Sequence, residues 1–239
     1  MIPPVCPETL EELKIPGNSV QRWTKDWAVK HDFLKPKVYR KLSVAMLSTH
    51  DTTNWAAWWE NEAGTVDEAL FIRKAIDRKI DHQDVKRRLF DPVLSRHDRL
   101  KWLKKVDSVD KFVEILGKPR DQLRDFIEIY ENTYLEKEKL WKQLGLKGAM
   151  MEKSDALIVK AALGITLNSS AVFCIELLND YLYLAGVLKG DPYNYRINRP
   201  GIVNKNNWST IIPISLEGLL KHKKICRDIK HMIRSSGRI

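Results

Sequence analysis

The chain has 239 residues, 44% hydrophobic and 30% charged, which is enough apolar material for a core and too little charge excess for wholesale disorder. Lys+Arg of 41 against Asp+Glu of 31 leaves a formal charge of +10, so nucleic acid, anionic lipid or a polyanionic substrate are partners to test. Three scattered cysteines, Cys6, Cys174 and Cys226, without a Cys-x-x-Cys spacing argue against a disulfide scaffold or a thiolate zinc site and for a reducing cytoplasm.

Three prolines in the first seven residues oppose helix at the start, and Met1 to Pro7 does not read as a signal peptide. The glycosylation triplets at Asn168 and Asn207 are therefore discounted, and no apolar run approaches the roughly 18 residues of a membrane span. Glu8 to Lys14 suits a short helix closed by Pro16-Gly17, and Ser19 to Trp23 a short strand. Leu42 to Ser48 is a mostly apolar run of the kind buried in a parallel sheet, and it delivers Thr49-His50-Asp51 at its carboxyl end.

From Gly64 to about Gly148 the pattern is long, charged and helical. Thr65 to Glu68 fits a capping box, followed by Ala69, Ile72, Ile76 and Ile80 at helical spacing. Leu123, Phe126, Ile127, Tyr130 and Tyr134 share one face and read as core. The basic clusters between them alternate with acids and read first as solvated faces. Asp155 to Leu163 is one more helix, ended by Gly164, and Ala171 to Ile175 a third buried strand with Cys174 in its middle. Tyr193 to Pro213 is a loop, followed by a basic helix that frays at Ser235 to Gly237. Strands separated by helices predict a parallel α/β organisation.

Among candidate sites, His50-Asp51 is the most informative, because the carboxyl ends of parallel strands carry active sites in barrels. The competing role is structural, since Asp is also a good helix N-cap. His31-Asp32 and His97-Asp98 repeat the dipeptide in polar segments, so the dipeptide alone says little. Metal phosphohydrolase chemistry lacks the further His and Asp spacings it needs. Ser or Cys nucleophiles lack an elbow, and no glycine-rich phosphate loop is present. Trp55, Trp58 and Trp59 follow directly; indoles stack on sugar faces, and at this spacing they also suit a helix packed on a sheet.

Taken together, Ile2-Pro3-Pro4, Pro7 to Leu10, Leu13 to Gly17, Val20 to Trp23, Leu47 to Thr52, and Tyr195 to Gly201 with Asn207-Trp208 and Pro213 resemble the amylomaltase family of 4-alpha-glucanotransferases. The resemblance implies an α/β fold in which this chain is the C-terminal part of a (β/α)8 TIM barrel with a large α-helical insertion. Residues 1–63 would carry the sixth and seventh strands, 64–153 the insertion, and 154–239 the last helix and strand, the closing loop and the C-terminal helix.

It also implies retaining transfer of α-1,4-glucan segments by an aspartate nucleophile and a glutamate acid/base. Asp51 matches the third carboxylate, which stabilises the transition state, and His50 a substrate-binding histidine. Thr49, Trp55, Asn198 and Arg199 are expected to contact substrate. No cofactor or metal is implied. The acid/base block of the family precedes Ile-Pro-Pro, where this sequence begins, so neither the nucleophile nor the acid/base can be assigned here. The expectation is a C-terminal fragment, inactive without a separate N-terminal part. The alternative is a basic helical protein binding nucleic acid; the glucan reading expects no nucleic-acid and no membrane partner.

Overall fold

The computed structural model describes residues 5–26 and 32–238. They divide into two compact units, one built from 5–26, 33–58 and 141–238 and the other chiefly from Trp59–Leu140. His31 lies outside the described residues. In the first unit, helix α1 (Val5–Glu12) begins earlier than the prolines suggested. Pro7 sits in its first turn, where the missing N–H has no intrahelical partner to lose. Strand β1 (Gly17–Val20) is two residues displaced from the expected one, because Gln21–Trp23 turns as a 3-10 helix. Strand β2 (Ser43–Met46) falls inside the apolar run and pairs with β1 in parallel, Gly17 opposite Ser43 and Val20 opposite Met46. Helix α2 (Trp55–Ala57) follows and continues as a π-helical stretch, Trp58–Glu62.

The second unit is not the purely helical region that its charge pattern suggests. Strands β3 (Thr65–Asp67), β4 (Phe90–Arg96) and β5 (Arg99–Trp102) form an antiparallel sheet in the order β3-β5-β4. Thr65 is therefore in a strand, and the cap of helix α3 (Glu68–Asp77) is Asp67, whose side chain accepts from Leu70 N–H. On α3 the buried residues are Phe71 and Ala75, whereas Ile76 is exposed.

Helices α4 (His82–Leu89), α5 (Val109–Leu116) and α6 (Arg124–Thr133) complete the unit, and Leu123, Phe126 and Tyr130 join its core as their spacing predicted. His97 and Asp98 form the two-residue turn between β4 and β5, both at positive φ. Much of the unit's positive charge is paired, as in Arg78 with Asp125, Lys86 with Glu68 and Arg99 with Asp67. Helix α7 (Glu136–Gln143) leads back to the first unit.

Helix α8 (Ala156–Leu167) starts at the Asp155 cap and runs through Gly164 to Asn168. Gly164 does not end it, because the buried face formed by Val159, Ala162, Leu163, Thr166 and Leu167 extends past that position. Strand β6 (Phe173–Cys174) pairs in parallel with β2, giving the sheet order β1-β2-β6. The third strand is thus an edge rather than a buried strand: Phe173 is half exposed and Ile175 exposed.

Helices α9 (Leu178–Leu184), α10 (Leu216–Lys221) and α11 (Lys223–Ser235) pack through Leu182, Leu188 and Ile225. Helix α11 ends at Ser235, and Ser236 and Gly237 turn, at the positions where the sequence expected the helix to give way. Arg238 donates to the carbonyls of Leu167, Ser169 and Ala171 and ties the segment after α11 to the loop before β6. No helix of the described residues is long and apolar enough to cross a membrane.

Candidate active site

The carboxyl ends of the three parallel strands converge, and each delivers a charged or polar side chain. After β1, the 3-10 turn sends Gln21 and Arg22 inward, where both are buried, and leaves Trp23 exposed. The Arg22 guanidinium donates to Ser48 Oγ, to Thr53 Oγ1 at 3.0 Å and to Thr53 O at 2.7 Å. It thus fastens both ends of the loop after β2. The same loop is closed internally by Thr49 N–H on Thr52 Oγ1, 3.1 Å, and Thr52 Oγ1 on Thr49 O, 3.0 Å.

After β6, Glu176 turns its carboxyl inward. Its Oε2 accepts from Leu47 N–H at 2.8 Å, and its Oε1 lies 2.5 Å from Thr166 Oγ1. Burial, reinforced by the neighbouring Asp180 charge, pushes the Glu176 carboxyl up to about 8. Asp180 on α9 is fully buried and pushed up to about 7 by that burial, with the Arg22 charge and the Trp55 N–H drawing it back down. Cys174 is no nucleophile in waiting. Burial, with the Glu176 charge second, lifts its thiol to about 12.

On this buried frame sit the exposed residues. His50 and Asp51 are about half exposed, with His50 Nε2 3.3 Å from Asp51 Oδ1. Asp51 is not a helix cap: that role belongs to Asn54, whose side chain accepts from Ala57 N–H at 2.9 Å. Instead Asp51 Oδ1 accepts from Asn198 Nδ2 at 2.7 Å, and Asn198 N–H donates to His50 O at 3.1 Å. Arg196 donates to Asp51 O at 3.3 Å and, through Nε, to Asn198 O at 3.0 Å. Asp51 Oδ2 takes no hydrogen bond from the described residues.

The loop that brings Asn198 is held by Asn207, whose side chain bonds Arg199 N–H and the carbonyls of Arg199 and Ile202. Trp208 follows at φ 61° with its N–H on Ile197 O, 2.8 Å. Left-handed backbone costs a residue with a side chain about 1–2 kcal/mol. The Trp208 indole is 66% exposed and 5.1 Å from the His50 ring. Beside it opens a cavity of about 510 Å³ lined by Tyr193, Arg196, Arg199, Asn207 and Ile211.

The expected residues are therefore sorted by the structure. Thr49, His50, Asp51 and Asn198 come together, and Arg199 lines the adjoining cavity. Trp55 does not join them: it is fully buried, its Nε1 donating to Gln21 Oε1 at 2.8 Å, and it offers no face to a ligand. Trp58 and Trp59 are buried too. Arg22, Arg196 and Trp208 lie inside the motifs that carry the resemblance but received no role from sequence, and Glu176 and Asp180 were missed. Glu176 could have been found by the argument used for Asp51, as a carboxylate placed just after an apolar strand.

A model of the 4-alpha-glucanotransferase family matches residues 1–215. The 4-alpha-glucanotransferase of Chlamydia caviae is 26% identical over 223 residues, covering 92% of this chain and 28% of that protein. That of Chlamydia muridarum is 24% identical over 225 residues, covering 94% and 29%. The chain thus spans less than a third of the length of these curated relatives. Among solved structures, amylomaltase from Corynebacterium glutamicum aligns over 99% of this chain and 27% of its own, with a TM-score of 0.45 and 14% identity. With the family model matched over nearly its whole length, this chain belongs to the 4-alpha-glucanotransferase family.

Proposed function

We propose that the chain supplies one wall of a retaining 4-alpha-glucanotransferase site, as the last part of a (β/α)8 barrel. Its three parallel strands would stand as the sixth, seventh and eighth, and residues 59–140 as an inserted unit. The observation that carries this reading is the Asp51 carboxylate, exposed at the carboxyl end of the central strand and gripped on one oxygen by Asn198. The free Oδ2 accepts sugar hydroxyls, and such bonds tighten as the glucosyl ring flattens and charge develops at its anomeric carbon. Charge-assisted bonds of this kind contribute several kcal/mol to the transition state. His50 binds the same sugar, Arg199 reaches a neighbouring unit across the cavity, and Thr49 contributes through the turn that presents them.

Neither the nucleophile nor the acid/base is assigned to a residue of these 239, and the substrates are maltooligosaccharides, starch or glycogen. A reducing cytoplasm suits the three free thiols of Cys6, Cys174 and Cys226. Calorimetric titration of the purified chain with maltoheptaose tests the reading. Binding is expected that is lost in Asp51→Asn and barely changes with salt, since the ligand is neutral. Affinity for nucleic acid that falls steeply with salt, without glucan binding, would overturn it in favour of the basic binding protein. Incubation of these 239 residues with maltotriose is expected to yield no glucose; disproportionation would show that a nucleophile and an acid/base lie among them and refute the assignment of Asp51 to stabilisation alone.

A further inference from the structure

Trp208 has no part in the roles above, yet its backbone and its exposure are both unusual. The residue occupies left-handed backbone, which favours glycine, and its side chain is two-thirds exposed. Burial therefore does not repay the strain. The position is held all the same, by the N–H of Trp208 on Ile197 O and by the three bonds of the Asn207 side chain just before it. The result sets the indole against the His50 ring, 5.1 Å away at a 40° tilt, with the rest of its surface open to solvent. Strain held at an exposed position beside chemically apt groups is a mark of function.

We propose that Trp208 is a stacking platform for an α-1,4-glucan, taking the apolar C–H face of the glucosyl unit adjacent to the one whose hydroxyls Asp51 accepts. The inference rests on the glucan reading above and adds to it a binding residue. A flat apolar face bearing one N–H suits a ring that carries hydroxyls on its rim and C–H bonds on its faces. The loop that carries this indole also exposes Ile202, Val203 and Ile211, so a protein partner covering this surface is the competing occupant.

The test uses the full chain and maltoheptaose, with affinity from calorimetry and folding from the thermal midpoint. Trp208→Gly is expected to bind roughly tenfold more weakly, the loss of one aromatic contact, while its midpoint stays level or rises because the strained φ is relieved. Trp208→Phe keeps a flat face and is expected to retain most of the affinity. The platform is refuted if Trp208→Gly binds as the natural chain does; if Asp51→Asn loses binding in the same series, the glucan reading survives that failure. A midpoint that falls together with affinity in Trp208→Gly would make the indole a structural prop and also refute the proposal. Absence of maltoheptaose binding by the natural chain at millimolar ligand would overturn platform and glucan reading alike.

Discussion

Replacing Glu176 by glutamine should change how the stability of the chain depends on pH. The natural carboxyl titrates near 4.5 when the chain is unfolded and near 8 when it is folded, chiefly because it is turned into the interior. Between those values the folded chain holds a proton that the unfolded chain has released. Stability therefore falls as pH rises through this window, is least above about 8 and is unaffected below about 4.5.

At about 1.4 kcal/mol per pH unit the whole fall has a ceiling of about 5 kcal/mol, a large part of the 5–15 kcal/mol that a domain possesses. The bonds that Thr166 Oγ1 and Leu47 N–H donate to the carboxylate offset part of the burial, and the same geometry also accommodates the neutral acid. With a proton on Oε1, Glu176 donates to Thr166 Oγ1, which is then free to donate to Leu163 O at 3.0 Å, while Oε2 accepts from Leu47 N–H. Glutamine reproduces that pattern, its amide taking the place of the O–H, and cannot ionise. Urea unfolding from about pH 5 to about pH 9 is the assay. The expected result is near-equal stability at the acid end and a Gln variant more stable by several kcal/mol at the alkaline end. Two profiles that run parallel within about 1 kcal/mol would refute the reasoning.

Arg22→Met removes three hydrogen bonds to Ser48 and Thr53, together with the charge that draws the buried Asp180 down, and should cost about 2–4 kcal/mol by urea unfolding. The loss is smaller below the Asp180 value of about 7, and Arg22→Lys restores little of it because the forked contacts to Ser48 and Thr53 need a guanidinium. Asp98→Gly relieves a left-handed residue in the β4–β5 turn and should raise stability by about 0.5–1 kcal/mol in thermal unfolding. Asn198→Ala should leave unfolding within about 0.5 kcal/mol of the natural chain and weaken maltoheptaose binding about fivefold, the worth of holding Asp51 in place.

The parts of the molecule that could be read from sequence are those where a local pattern decides the structure. Leu42 to Ser48 is a short apolar run, and it yields the central strand with His50 and Asp51 at its end. The 3.6-residue recurrence of Leu123, Phe126 and Tyr130 yields a buried helix face. The antiparallel sheet of the second unit was hidden by its charge. Arg99-Leu100-Lys101-Trp102 does alternate, with Leu100 and Trp102 buried, but four residues with two cations look like helix surface. The tryptophans show a different limit. Trp55 and Trp208 are equal in kind, and only tertiary packing makes one a buried donor to Gln21 and the other an open indole. Arg22, Glu176 and Asp180 are ordinary surface charges in sequence. Their burial arises from strand ends brought together across separations such as the 129 positions from Leu47 to Glu176.

That convergence bears on what His50 and Asp51 are for. A strand end that needed only to turn the chain would be finished by the Thr49–Thr52 turn and the Asn54 cap, both local. Here the same few residues are also fixed from below by Arg22 and from the side by Asn198, which lies 147 residues further along the chain. Ordering a loop from two distant segments costs conformational entropy that a simple turn would not incur. The cost makes sense where a carboxylate must already stand in place as charge develops on a ligand, since a group oriented beforehand needs no reorganisation at that moment. On the proposed reading the buried charges hold the loop and the exposed pair meets the ligand. Loss of Arg22 and loss of Asp51 should therefore fail differently, the first in stability and the second in binding.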